Sequence, residues 1–89
     1  MELSIHERRK EVREAADAEL TLIVDDPFPA EVRGRLIDIS RSGFRASHSY
    51  PQFEPGQQVR FRYPAAEGQA RVMWNRILKD RVETGFLVL

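Results

Sequence analysis

The sequence predicts a small all-β domain built from six short antiparallel strands. Apolar and polar residues alternate with a period of two in several segments, which is typical of half-buried strands. Clusters of proline, glycine and aspartate separate these segments at regular intervals. The 89 residues leave room for one domain. Such strands close into a barrel or pack as a sandwich, and closure removes the exposed edges that a small sheet would otherwise present.

The first three predicted strands lie between residues 20 and 47. Residues 20–24 (LTLIV) are rich in apolar and β-branched side chains, which favour a strand. The next five residues include two prolines, which cannot donate to a β-ladder, so they form a turn. Residues 31–39 form the second strand, and a polar turn at 40–43 joins it as a hairpin to residues 44–47. Alternation along the second strand predicts one face made of Val32, Gly34, Leu36 and Asp38.

Three further strands follow a loop at residues 48–56. Residues 57–63 alternate cleanly, and a turn over residues 64–68 reverses the chain. Residues 69–78 are the longest predicted strand, and alternation places Trp74 on the same face as Ala70 and Val72. This placement favours the core for Trp74, with a ligand-stacking role as the alternative. A short turn then leads to the last strand, residues 82–89.

The N-terminal residues 1–13 are polar and rich in charge, and they precede the first predicted strand. Ser4 followed by Glu7 fits a helix capping box, and good helix formers continue to Ala18. A short N-terminal helix is therefore one interpretation of this segment. A flexible arm is the other, and the residues themselves do not decide between them.

Composition excludes several classes of function. Fourteen basic and 14 acidic residues cancel, whereas proteins that coat long nucleic acids usually carry a basic excess. The absence of cysteine excludes disulfides and thiolate chemistry and fits a reducing cytosol. No apolar run approaches the roughly 20 residues of a membrane span, so we expect a cytoplasmic protein without membrane insertion. His6 and His48 are isolated, so no metal site is predicted, and no activated nucleophile or carboxylate pair indicates an enzyme.

Two motifs lie in a fixed order along the chain. The first is Arg-x-x-x-Arg at Arg9 and Arg13, and the second is Asp-x-Ser-x-x-Gly at residues 38–43. Together, in this order and spacing, they resemble the motifs of the PilZ domain family of bacterial cyclic di-GMP receptors. The resemblance extends from about residue 8 to the end of the chain. It implies a six-stranded antiparallel barrel over residues 14–89, preceded by an arm of residues 1–13 that is mobile until ligand binds. Many family members carry a C-terminal helix after the last strand, and we do not expect one within this sequence.

The residue types in the two motifs suit the chemistry of a cyclic dinucleotide. Guanidinium groups bind phosphate in a fork, meet the O6 and N7 acceptors of guanine, and stack on bases. Asp38 offers an acceptor to the N1–H and N2–H₂ donors of guanine, while Ser40 suits a base edge or a phosphate oxygen. Gly43 supplies a turn residue that tolerates positive φ and leaves space for ligand. Arg41, within the second motif, is expected to reach a phosphate. In the family, the residue just before Arg-x-x-x-Arg influences how ligand is bound; here it is Arg8, a further stacking surface, so the resemblance favours a stacked dimer of cyclic di-GMP.

These observations predict a non-enzymatic receptor for cyclic di-GMP that needs no further cofactor. Binding is expected to order residues 1–13 and to change the surface presented to a downstream protein, in a monomer or weak homodimer. One alternative is a PilZ-type adaptor that contacts proteins without binding nucleotide. A weaker alternative is an OB-like barrel for single strands, which the zero net charge disfavours.

Overall fold

The computed structural model describes residues 12–89, which form seven antiparallel strands. The strands are β1 (Arg13–Ala15), β2 (Glu19–Val24), β3 (Ala30–Ser40), β4 (Gly43–His48), β5 (Gln58–Tyr63), β6 (Ala66–Ile77) and β7 (Val82–Val88). Six of them, β2 to β7, confirm the six strands expected from periodicity. The short strand β1 is additional.

The six long strands close into a barrel. Neighbouring strands follow the order β3-β2-β5-β6-β7-β4, and pairing of β4 with β3 completes the ring. The fold class predicted from the sequence, a small six-stranded antiparallel barrel, is therefore confirmed. Strand β1 lies outside the ring and pairs with the last residues of β3, with Ala15 opposite Asp38 and Arg13 opposite Ser40.

The barrel interior is filled by aliphatic and aromatic side chains from all six strands. Phe44 lies near the centre, with ring centroids 5.0 Å from Phe61 and 4.9 Å from Phe86. Leu22 and Val72 are completely buried beside these rings. A fully buried side chain of this size contributes about 1.5–3 kcal/mol relative to an exposed one, so this cluster is the main source of stability.

A β-bulge in β3 changes which face Asp38 occupies. Leu36 pairs with Ala46, but the next pairing joins Asp38 to Arg45, so Ile37 is an extra residue on its strand. Ala46 faces the core, and Arg45 therefore faces outward. The prediction that Asp38 shares a face with Leu36 is wrong, because the bulge interrupts the period of two and turns the carboxylate to the outside of the barrel.

A second bulge, in β6, has the same effect on Trp74. Val72 pairs with Phe86, and the next pairing joins Trp74 to Gly85, which leaves Met73 as the extra residue. Trp74 is 37% exposed and lies outside the core cluster. The favoured core placement of Trp74 is therefore wrong, for the same physical reason as at Asp38.

Two turns and the N-terminal segment also differ from expectation. Tyr63 pairs with Ala66, so the predicted turn over residues 64–68 is a two-residue turn and β6 begins three residues earlier than predicted. Strand β3 continues to Ser40, which shortens the next turn to residues 41–42. A helix continuing to Ala18 is not formed, because residues 13–15 pair as β1 instead. Residues 1–11 lie outside the described part of the chain.

A buried polar chain links the loop between β4 and β5 to the barrel wall. The Tyr50 backbone N–H donates to Nδ1 of His48 at 3.0 Å, so Nε2 carries the proton and donates to Oγ1 of Thr84 at 2.7 Å. The Thr84 hydroxyl in turn donates to Oδ1 of Asn75 at 2.6 Å. Each buried polar group thus has a partner, which offsets the cost of taking it out of water.

Candidate functional site

The two sequence motifs meet where β1 lies against the end of β3. The register places Arg13 directly opposite Ser40 and Ala15 opposite Asp38, so these four side chains share a face. Nη1 of Arg13 donates to Oδ1 of Asp38 at 2.8 Å across 25 residues of sequence. The structure thus brings together three of the predicted site residues, Arg13, Asp38 and Ser40.

Arg45 is a site residue that the sequence reasoning missed. Its Nε lies 3.0 Å from each carboxylate oxygen of Asp38, and its Nη2 also donates to Oδ2. The guanidinium thus forms a forked contact, a geometry that lysine cannot reproduce. The sequence signal for this contact is weak, because only the bulge in β3 brings Arg45 opposite Asp38.

The arginines stabilise the charged form of the carboxylate. Hydrogen bonding from Arg45 is the largest cause that lowers the pKa of Asp38, and its charge and that of Arg13 add to the effect. Partial burial raises the pKa of Asp38, but this effect is smaller than the lowering by the two arginines. Asp38 is therefore ionised throughout the physiological pH range and accepts hydrogen bonds only.

The turn between β3 and β4 keeps the motif compact. Oγ of Ser40 donates to the carbonyl oxygen of Gly43 at 3.3 Å. Gly43 pairs with Leu87, and a Cβ on Gly43 would collide with the carbonyl oxygen of Phe86. Gly43 does not have positive φ, which among the described residues occurs only at Gly56. The predicted conformational reason for this glycine is therefore wrong; close approach of β7 requires it instead.

The remaining predicted residues differ in their placement. Trp74 lies on the same outer face as Asp38, at the far end of a row of cross-strand neighbours, here called the outer row: Asp38, Arg45, Gly85 and Trp74. The indole ring covers Gly85, where a Cβ would collide with it. Arg41 is exposed in the β3–β4 turn and makes no ion pair within residues 12–89. Arg8 and Arg9 lie outside the described residues.

In the described part of the chain, no group of histidine, aspartate and glutamate side chains is arranged to hold a metal ion. Residues 12–89 contain no helix of the length and hydropathy needed to cross a membrane. The outer row and the adjoining β1 form the candidate site among the described residues.

Comparison with known proteins agrees with both the motifs and the fold. The PilZ domain family model matches residues 7–87. Among solved structures, the chain is similar to the PilZ domain with c-di-GMP of YcgR from Escherichia coli, with a TM-score of 0.73 and 16% sequence identity. That likeness covers 92% of this chain and 78% of the other. A search of curated proteins gives no match. The motifs, the closed barrel and the family match together show that this chain belongs to the PilZ domain family.

Proposed function

We propose that this protein is a receptor for cyclic di-GMP that acts by binding and not by catalysis. The observation that carries the proposal is the contact between Arg13 and Asp38, which unites the two motifs on one outer face. The similar YcgR domain was solved with this ligand. The arginines supply donors for phosphates and guanine acceptors, and Asp38 supplies the acceptor for the guanine donor edge.

The contacts of Asp38 suggest how ligand enters the site. Three N–H groups already donate to Asp38: the Nε–H of Arg45, which is shared between both carboxylate oxygens, the Nη2–H of Arg45, and the Nη1–H of Arg13. These contacts occupy the roughly four lone-pair positions of the carboxylate. Arg13 is the more exposed of the two arginines and makes the single contact. We infer that the guanine N1–H and N2–H₂ donors replace Arg13 on Oδ1. Arg13 is thereby released toward a guanine acceptor or a phosphate, while Arg45 keeps the carboxylate in place.

The rest of the binding mode extends this proposal to the N-terminal segment. Arg8 and Arg9 supply further guanidinium groups, and Arg8 stacks on a base of a second ligand in an intercalated dimer. Arg41 contacts a phosphate from the β3–β4 turn, and the exposed ring of Trp74 contributes a stacking surface. Binding then fixes residues 1–13 over the outer face and changes the surface offered to a downstream protein in the cytoplasm.

Isothermal titration calorimetry tests the proposal directly. We expect cyclic di-GMP to bind with defined stoichiometry, and cyclic di-AMP and GTP to bind far more weakly. Two ligands per chain would support the stacked dimer, and one would contradict it. Absence of both heat and a thermal shift would reject the receptor function and leave the adaptor interpretation.

Substitution of Arg13 identifies the site, with Arg33 as the matched control. Arg33 is exposed on the outer face of β3 and lacks an ion pair within the described residues. Arg13→Ala removes at least one charge-assisted hydrogen bond, worth about 1.5–3 kcal/mol, and should weaken binding about 10- to 150-fold. Arg33→Ala should leave the affinity unchanged. Equal affinities in the two variants would exclude Arg13 from the site.

Asp38→Ala tests recognition of the base itself. We expect this variant to lose most of its preference for cyclic di-GMP over cyclic di-AMP, because adenine lacks the donor edge that the carboxylate accepts. An unaltered preference would remove Asp38 as the group that reads guanine.

A further inference from the structure

A groove lined by prolines and aromatic rings lies at the opposite end of β3 from the candidate nucleotide site. It has a volume of about 800 Å³ and separates the β2–β3 turn from the β4–β5 loop. Its walls include Pro27, Phe28, Tyr50 and Pro55, and we call it the proline groove. Strand β3 has 11 residues, so a rise of about 3.3 Å per residue puts its two ends roughly 33 Å apart.

The two walls of the proline groove are held in place before any partner binds. Nε2 of Gln57 donates to the backbone carbonyl oxygen of Asp26 at 3.3 Å, which links the loop to the turn. Phe53 anchors the loop in the barrel core, and its ring centroid lies 4.7 Å from that of Tyr50. Prolines fix φ along both walls. A preformed groove of this kind loses little conformational entropy on binding.

The most exposed apolar side chain of the groove, Phe28, does not contribute to the core. Phe28 is 77% exposed, between two prolines, and is not part of the core cluster. Single exposed apolar residues are common on protein surfaces, but Phe28 is continuous with Pro27, Pro55 and the half-buried Tyr50. Contiguous apolar patches rimmed by polar residues mark interaction sites.

The charges of the groove select the kind of partner. Its lining includes Asp26 and Glu54 but no lysine, arginine or histidine. Asp25, the neighbouring acidic residue, is already paired with Arg60 at 2.9 Å. By contrast, the side chains of Asp26 and Glu54 form no ion pair within residues 12–89. Because the net charge of the whole chain is zero, this acidic rim is a local feature that complements a cation.

We propose that the proline groove binds an extended segment of a partner protein in which arginine or lysine flanks proline or aliphatic residues. Polyproline II segments dock in grooves of aromatic and proline residues, and flanking cations pair with an acidic rim. Since the groove adjoins the first residue of β3 and Asp38 lies near the other end of this strand, the groove and the Arg13–Asp38 contact can be occupied together. The proposal does not depend on cyclic di-GMP binding.

Nuclear magnetic resonance titration with a synthetic peptide tests this proposal. The ¹⁵N-labelled protein is titrated with the acetylated, amidated hexapeptide RPLPPR, and with EPLPPE as the charge-reversed control. We expect RPLPPR to shift the amides of residues 26–30 and 50–57, with affinity that falls several-fold between low and high salt. EPLPPE should shift them little. No shift with RPLPPR, or equal shifts with both peptides, would overturn the proposal.

Two variants locate the binding surface, and a third serves as their control. Phe28→Ser removes the exposed ring, and Glu54→Lys reverses a rim charge; each should weaken RPLPPR binding at least tenfold while amide dispersion shows an intact fold. The control is Leu89→Ser, which alters an exposed apolar residue far from the groove in sequence and should bind RPLPPR normally. Its neighbour Val88 bonds through its backbone N–H to the β3–β4 turn.

Unchanged affinity for RPLPPR in Phe28→Ser would refute the site. Shifts of the same amides on concentrating the protein alone would identify a second copy as the occupant and also refute it.

Discussion

Acidification from pH 7 to pH 5 should destabilise the protein, because His48 takes up a proton more readily in the unfolded chain than in the fold. The ring is buried, and its Nδ1 accepts the Tyr50 backbone N–H while Nε2 bonds to Thr84. Only the neutral ring can accept at Nδ1, so a proton there breaks the link to the β4–β5 loop. Burial lowers the pKa of His48 from the ordinary 6.5 to about 4.

The sign and size of the effect follow from this pKa difference. Because the pKa in the folded state is lower, the unfolded chain binds the proton more readily, and stability falls as the pH drops below 6.5. Linkage with these two values gives a loss of about 2 kcal/mol between pH 7 and pH 5, approaching at most about 3 kcal/mol below pH 4. The pKa values of Asp38 and Glu83 are also lowered, but these carboxylates remove stability mainly below about pH 4.5, where unfolded carboxyls protonate.

Urea denaturation at pH 7 and pH 5, followed by circular dichroism, measures this loss. His48→Gln should be less stable than the wild type at pH 7, yet nearly insensitive to pH over the same range. His6→Gln is the matched control for a general effect of histidine and should keep the wild-type dependence. A wild-type loss below about 0.5 kcal/mol, or an equal loss in His48→Gln, would refute the assignment of the pH dependence to this buried ring.

Three further substitutions test the outer face. Gly43→Ala places a methyl group against the backbone of β7 and should cost about 1–3 kcal/mol or more in urea denaturation; an unchanged midpoint would contradict the close approach. Gly85→Ala should displace the ring of Trp74, so the emission of this single tryptophan should shift to longer wavelength while the far-ultraviolet spectrum is kept. Arg45→Met should raise the carboxyl pKa of Asp38 toward its ordinary value in an NMR titration, whereas an unmoved pKa would show that Arg45 is not its main partner.

The barrel could be predicted from the sequence because its strands obey a simple period. Alternating residues at 58–63 reappear as alternating exposed and buried positions along β5, and the proline turn after β2 falls where the prolines stop the ladder. Strand β1 was missed because three exposed residues carry no apolar period. It forms through its backbone pairing with β3, which depends on tertiary structure alone.

The composition of the site could be predicted only in part. The resemblance to the PilZ motifs predicted Asp38 and Arg13 as site residues, and the structure places these two side chains in contact. Arg45 was not predicted because the pairing that brings it opposite Asp38 depends on the strand register. The bulge that changes this register has no distinctive residue at its extra position. Ile37 and Met73, the two extra residues, are ordinary strand residues in the sequence.

The two bulges allow the same strands to form both an apolar core and an outer face that carries a carboxylate and an indole ring. Without the bulge in β3, the period of two would turn Asp38 into the barrel, where an unpaired carboxylate would cost several kcal/mol. Without the bulge in β6, the large ring of Trp74 would compete for space with Phe44 and its neighbours. With both bulges, the carboxylate and the indole occupy opposite ends of one outer row, with Arg45 and Gly85 between them. The aspartate of the Asp-x-Ser-x-x-Gly motif therefore lies on the outer face of the barrel only because a bulge precedes it in β3.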